Sequence, residues 1–303
     1  MRAARIKPEG VTCYHVWSRI VNKDFLLDDV EKRVFLELMR RAERFSGVKV
    51  LDYCIMDNHF HLLVEVPLKR DVSDGELLER VGALYGGKFA DGLKEKWDEP
   101  GNSCDGEKAM FVKRMHDVSE FVKTLKQRYS MHYNRTHKRQ GTLWEGRFHS
   151  TVVEHNAAAD TLRFVAGYVD TNPVRAKIAG RAESYAWSGF GAACAGDSKA
   201  QQGMRTIYSP DDSNASIGWD AVRALHLENI ALWTEERECR RNGITMPLSK
   251  RIPLLKHGGI IGSRGFVEDT QAAHSLKHLS RNRPKRDVPE TGGIHSAHAI
   301  RVA

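Results

Sequence analysis

Four side chains stand out for what their types and spacing could do. His59 and His61 flank Phe60 in the run Met56-Asp57-Asn58-His59-Phe60-His61-Leu62-Leu63-Val64-Glu65-Val66-Pro67. Alternate side chains of an extended strand share a face, so the two imidazoles stand side by side while Phe60, Leu62, Val64 and Val66 face a core. Two neighbouring imidazoles on a rigid strand supply half of a divalent-metal site. An ordinary strand with two surface or hydrogen-bonded histidines fits the same residues. Further on, Tyr168 and Asn172 lie four apart in Tyr168-Val169-Asp170-Thr171-Asn172-Pro173-Val174-Arg175-Ala176, a spacing that puts both on one helix face. A tyrosine hydroxyl can act as a covalent nucleophile. An amide oxygen suits a hard cation such as Mg²⁺ or Mn²⁺. The competing reading is a half-buried aromatic followed by a plain Asn-Pro helix stop.

The flanking pattern supplies elements to hold these residues. Residues 11–20 are β-branched and aromatic and predict a first strand. Asp28-Asp29 offers a cap for a helix over 29–46, with Val34, Phe35, Leu38 and Met39 at helical spacing and Ser46-Gly47 as its end. A second strand over 48–56, the turn Asp57-Asn58 and the histidine strand form a hairpin. Another helix is expected over 72–85. Strand, helix, strand, strand, helix is the start of a ferredoxin-like split βαβ unit. Residues 86–112, rich in Gly, Asp and Lys, read as an irregular insertion. Helical periodicity returns over 117–135, a strand over 142–154 is best marked from Phe148, and Asn156 caps a helix running to Thr171. A mostly helical region over 215–279 and a disordered basic tail over 280–303 complete the expectation.

The formal net charge of +8 favours a polyanionic partner. From Lys123 to Arg147 there are seven basic residues (Lys123, Lys126, Arg128, Arg135, Lys138, Arg139, Arg147) against Glu145 alone, which concentrates that charge on one segment. Tyr129, Tyr133 and Trp144 are interleaved, as a backbone-tracking, base-stacking surface wants; a solvated helix face is the plainer alternative. No apolar run is long enough to span a membrane, and the N-terminus lacks the hydrophobic stretch of a signal peptide, so a cytoplasmic, nucleoid-associated protein is expected. Cys13, Cys54, Cys104, Cys194 and Cys239 are an odd count without a Cys-x-x-Cys pair, which speaks against both a disulfide framework and a cysteine-based zinc site.

Taken together, these segments resemble the REP-associated tyrosine transposases, a branch of the single-tyrosine HUH superfamily. The resemblance rests on Tyr14-His15-Val16-Trp17-Ser18-Arg19, on Met56 to Leu62, on Tyr133-Asn134-Arg135, on Gly141-Thr142-Leu143-Trp144-Glu145-Gly146-Arg147-Phe148, on Tyr168 to Ala176, and on Trp187-Ser188. It covers residues 10–190, with a weaker echo in Gly258 to Val267 that looks like part of a helical accessory module. It implies an α+β, ferredoxin-like (RRM-like) catalytic domain over 1–195, a helical accessory region over 205–279 and the basic tail. It further implies Tyr168 as nucleophile and His59, His61 and Asn172 as ligands of Mg²⁺ or Mn²⁺. The expected activity is cleavage and transfer of single-stranded DNA at hairpin or palindromic sequences through a 5′-phosphotyrosine, by a monomer or homodimer. Arg19, Lys123, Lys126, Arg128, Arg135, Trp144 and Arg147 are the expected DNA contacts. Tyr129 and Tyr133, also four apart, have no ligand-type residue and proline after them; they are read as structural or DNA-facing. His137, His149 and His155 have no spacing partner and are read as solvated or hydrogen-bonded. A non-catalytic nucleic-acid-binding module and a metal-dependent nuclease using water are the rival functions.

Overall fold

The computed structural model describes residues 5–155, 161–209, 217–234, 255, 259–274, 286–287 and 295–298. Cα proximity divides the chain into two compact units, one of residues 1–19, 50–65 and 146–303, the other of residues 20–49 and 66–145.

The first unit is built on a mixed sheet. Its strands are β1 (Thr12–Arg19), β2 (Lys49–Ile55), β3 (His59–Val66), β4 (His149–Val153), β5 (Gly259–Gly262), β6 (Arg286–Asp287) and β7 (His295–His298). Their order across the sheet is β2-β3-β1-β4-β5-β7-β6 among the described residues. The first four strands reproduce the expected split βαβ arrangement, with the β2–β3 hairpin closed by Met56 N–H donating to the His59 carbonyl at 2.8 Å. β1 runs antiparallel to β4 in the register Cys13 with Val153, His15 with Thr151 and Trp17 with His149.

The next strand corrects the sequence reading. Gly259–Gly262, taken as part of a helical module, lies parallel to β4 with Ile260 opposite Val152. Four residues of Gly-Ile-Ile-Gly carry no alternation; only the open edge of β4 makes them a strand. Arg286–Asp287 and His295–His298 also join this sheet, which corrects the disordered tail at those positions; the rest of 280–303 lies outside the described residues.

Behind the sheet stand α6 (Thr161–Asp170), α7 (Asn172–Arg175), α8 (Gly189–Cys194), α9 (Ser198–Tyr208), α10 (Trp219–Thr234) and α11 (Arg264–Ala273), numbered after five helices of the second unit. Every residue of α6 except Arg163 is buried. It packs against α9 and α10, and its apolar side chains join Leu63, Val153 and Ile261 of the sheet in one core. Gly167 permits this: a Cβ there would lie 2.7 Å from Asn229 Nδ2 and 2.8 Å from Trp233 Cδ1. The expected cap Asn156 lies outside the described residues. At the other end the chain does not stop at Pro173. Proline occupies the first turn of α7, where its missing N–H costs nothing.

The second unit is helical: α1 (Asp29–Ser46), α2 (Asp74–Tyr85), α3 (Gly87–Asp98), α4 (Asp105–Val112) and α5 (Val118–Thr136). Asp28 caps α1 by accepting from Glu31 N–H at 2.8 Å, as its sequence predicts. The insertion over 86–112 is corrected from loop to two helices. Its Gly and Asp content lowers helix propensity, yet Leu93, with Trp97 and Phe111 packed beside it, closes a cluster with Phe45, Leu77, Val81, Leu84 and Met115.

Candidate active site

β3 presents His59 half-buried and His61 buried on one face, with Phe60, Leu62 and Val64 on the other. The neighbouring strand β1 adds His15, fully buried, whose Nε2 lies 3.0 Å from His61 Nδ1. The two rings are parallel, with centroids 5.2 Å apart. Burial pushes the pKa of His15 down to about 3, so it is a neutral partner. His59 Nδ1 lies 2.7 Å from Asn58 Oδ1, an acceptor, which assigns the proton to that nitrogen. In both histidines the δ nitrogen carries a hydrogen bond, which fixes the ring orientation.

Helix α6 brings Tyr168 to the same cluster. Its ring meets His61 edge-on at 5.5 Å and His15 edge-on at 5.6 Å. The residue is 1 % exposed, and Trp233 of α10 packs on it at 5.4 Å. Burial raises the phenol pKa, while Arg175 and Arg19 oppose the rise by stabilising a phenolate. Arg175 sits in α7 with its guanidinium 5.3 Å from the Tyr168 ring centroid. Its Nη1 is buried and has no hydrogen-bond partner among the described residues. Asn172, also buried, donates Nδ2–H to the carbonyls of Tyr168 at 2.8 Å and Val169 at 3.1 Å. These bonds engage the amide nitrogen with the helix backbone and fix the orientation of the amide.

The fold therefore gathers His59, His61 and Tyr168, and it joins Asn172 to them through the Tyr168 backbone. The expected DNA contacts are spread more widely. Arg19 lies over Trp17 at 5.6 Å and, with Arg147 (exposed), belongs to the first unit. In the second unit Lys123 and Arg135 are exposed on α5, Lys123 within 3.2 Å of Glu120. The Lys126 ammonium lies 5.2 Å from the Trp144 ring, and the Arg128 guanidinium 4.4 Å from that of Tyr85. Trp144 itself is buried, with its indole N–H donating to Lys126 O at 3.2 Å and Ser130 Oγ at 2.9 Å. That placement corrects its reading as a stacking platform.

The other tyrosine pair is structural: Tyr129 is buried with its hydroxyl 2.8 Å from Glu31 Oε2, and Tyr133 stacks on His137 at 4.1 Å. His137 hydrogen-bonds Glu31 at 2.8 Å, and His149 stacks on Trp17 at 4.2 Å. His15 and Arg175 were missed as site residues by spacing alone. The signal for His15 was present: odd-numbered residues of β1 share the face of odd-numbered residues of β3. Arg175 lies three past Asn172, a spacing shared by countless helical arginines.

On the opposite side of α6 a second polar cluster is sealed in the core. Asp170 Oδ2 accepts from His226 Nε2 at 2.9 Å, and His226 Nδ1 lies 2.9 Å from the Tyr208 hydroxyl. Asp52 of β2 pairs with Asp170 carboxyl to carboxyl. All of these but Tyr208 are fully buried. Burial raises Asp52 well above the usual carboxylate range and Asp170 to about 7, and lowers His226 to about 4. The cluster is thus held by neutral hydrogen bonds, with a proton on the carboxyl pair.

A family described as IS200-like transposase matches residues 11–75, the stretch that carries β1, α1, β2 and β3. No curated protein matches the chain. Among solved structures, a REP-associated tyrosine transposase bound to a REP hairpin is similar over 72 % of this chain and 94 % of that one, at 12 % identity and a TM-score of 0.43. No helix among the described residues is long and apolar enough to cross a membrane.

Proposed function

We propose that this protein cleaves and rejoins single-stranded DNA at hairpin-forming sequences, with Tyr168 as the nucleophile. The observation that carries the reading is the packing of Tyr168 edge-on to His61, one of two imidazoles presented together by β3. The match of an IS200-like transposase family over residues 11–75 supports it.

In the step proposed, the Tyr168 oxygen attacks the scissile phosphorus, the bond to the 3′ oxygen breaks, and the phenolic proton passes through solvent to the departing 3′ oxygen. The product is a 5′-phosphotyrosine and a free 3′-OH. Because the new ester keeps the phosphodiester linkage, another 3′-OH can reverse the step and join strands. Arg175 and Arg19 favour the phenolate, and the Arg175 Nη1 donor suits a phosphate oxygen. The donor set fits a hard divalent cation: His59, His61 and the Asn172 amide oxygen would hold it, and none of them cancels its charge. Mg²⁺ or Mn²⁺ there would neutralise and orient the scissile phosphate. His15 keeps the His61 ring in place. Exposed Lys123 and Arg135 on α5 offer phosphate contacts of their own.

The test is an SDS-resistant adduct between the protein and one strand of a labelled hairpin. Tyr168→Phe should abolish it while retaining fold and DNA affinity, and Tyr129→Phe should still form it if it folds. Cleavage by Tyr168→Phe without an adduct would instead make this a nuclease that uses water.

A further inference from the structure

We infer that the protein carries a second metal site, of a softer kind, assembled from Cys13, Glu65 and His155. None of the three is near another in sequence. Cys13 lies on β1, paired with Val153 of β4, and His155 follows two residues beyond that partner. Glu65 lies near the end of β3, four residues past His61, or about 13 Å along the strand. Strand alternation puts Cys13 and Glu65 on the face that carries His15 and His61. The pair of imidazoles and this triad are therefore two separate positions on one sheet face.

The thiol sulfur, a carboxylate oxygen and an imidazole nitrogen of the triad all lie within 4.8 Å of one another. Cys13 is fully buried and Glu65 is 5 % exposed. His155 Nε2 lies 3.5 Å from Glu65 Oε2 and makes no hydrogen bond among the described residues, although the atom is buried. A hydrogen bond between these groups would bring them to about 2.8 Å. Two ligands of one tetrahedral zinc ion, at bond lengths of 2.0–2.3 Å, stand about 3.3–3.8 Å apart. The observed separation is the second of these. Thiolate, carboxylate and neutral imidazole also cancel a divalent charge, which a buried position needs. The set selects a borderline-soft ion such as Zn²⁺. A cavity of about 220 Å³, lined in part by Glu9, Thr12 and Glu154, reaches His155 of the triad. The absence of a Cys-x-x-Cys pair excluded only sites written locally; here the sheet does the gathering.

The ion would tie β1, β3 and the end of β4 together. Co²⁺ reports on such a site directly, because thiolate ligation gives a near-ultraviolet charge-transfer band. Metal-stripped full-length protein titrated with Co²⁺ should develop that band, and Zn²⁺ should displace it. His61→Ala should keep the band, since that residue belongs to the other position. Cys13→Ser should lose it with an unchanged circular dichroism spectrum. Should Cys13→Ser fail to fold, His155→Gln decides instead, and should weaken Co²⁺ affinity about tenfold or more. A wild-type spectrum without the thiolate band, a band that survives Cys13→Ser, or an affinity unmoved by His155→Gln would overturn the inference. None of these outcomes depends on DNA cleavage.

Discussion

Tyr168 and Asp170 are two residues apart on one helix and serve two unlike clusters. Successive helical residues turn by about 100°, so these side chains leave α6 in nearly opposite directions. One side meets His15, His61, Arg175 and, through β3, His59. The other meets Asp52, His226 and Tyr208. Both are buried and polar, yet they differ in completeness. Behind the helix, Asp52 Oδ2 and Asp170 Oδ1 have no described donor, and a proton shared between the two carboxyls closes the network with the imidazole and the hydroxyl. In front, the guanidinium of Arg175 keeps a buried donor with no described partner. A closed network stabilises position; an incomplete one is suited to a charged visitor.

That contrast is sharpest in paired substitutions. His61→Ala should reduce hairpin cleavage by about 10³-fold or more in protein that still folds, and excess chelator should reproduce the loss. Cleavage that persists in EDTA would remove the metal from the reaction. Asp170→Ala should do the reverse. It leaves the His226 N–H and the Asp52 carboxyl without their partner, at a cost of about 3 kcal/mol in urea denaturation. A variant as stable as wild type would show that the rear cluster does not hold the helix.

A pH series refines the comparison. The Asp52 carboxyl has its pKa raised in the folded state, chiefly by burial and then by Asp170. The folded protein therefore keeps a proton that the unfolded chain releases above about pH 4. The stability tied to this group is complete below that point and declines as pH climbs through the folded pKa. Asp52→Asn removes the titration and keeps the shape. The fall in unfolding free energy between pH 5 and 7 should become shallower, by up to about 1.4 kcal/mol per pH unit. Parallel curves for wild type and variant would mean that Asp52 is ionised in the fold.

The smallest expected change lies in the second unit. Lys123→Ala with Arg135→Ala should leave adduct formation at saturating DNA intact. The slope of log affinity against log salt for a single strand should drop by about 1.4. An unaltered slope would take α5 out of the binding surface.

Much of the candidate site is legible in the sequence. Strand alternation placed His59 and His61 on one face, and helical spacing linked Tyr168 with Asn172. Capping chemistry set α1 correctly from Asp28 to Gly47. Local rules failed where the determinant was another segment. The 86–112 stretch has weak propensity and gains its helices by packing on α2. Gly259–Gly262 is a strand because β4 offers an edge. Trp144 looked like a surface ring because it sits among basic residues, yet its indole is tied to α5. The carboxyl–imidazole chain was invisible because Asp52, Asp170 and His226 meet across 174 residues of sequence.

The parallel pairing of β4 with β5 also sets a timetable. Glu154, just past β4, accepts from Ser263 Oγ at 2.8 Å, and its backbone N–H donates to Ile261 O at 2.9 Å. Its partner strand is made about a hundred residues later, which at about 5–20 residues per second is a delay of roughly 5–20 s on the ribosome. During that interval β4 displays a bare edge, the kind of surface that captures strands from other chains. Slowing elongation between residues 155 and 259 would prolong that exposure, and yield of soluble protein should fall with it.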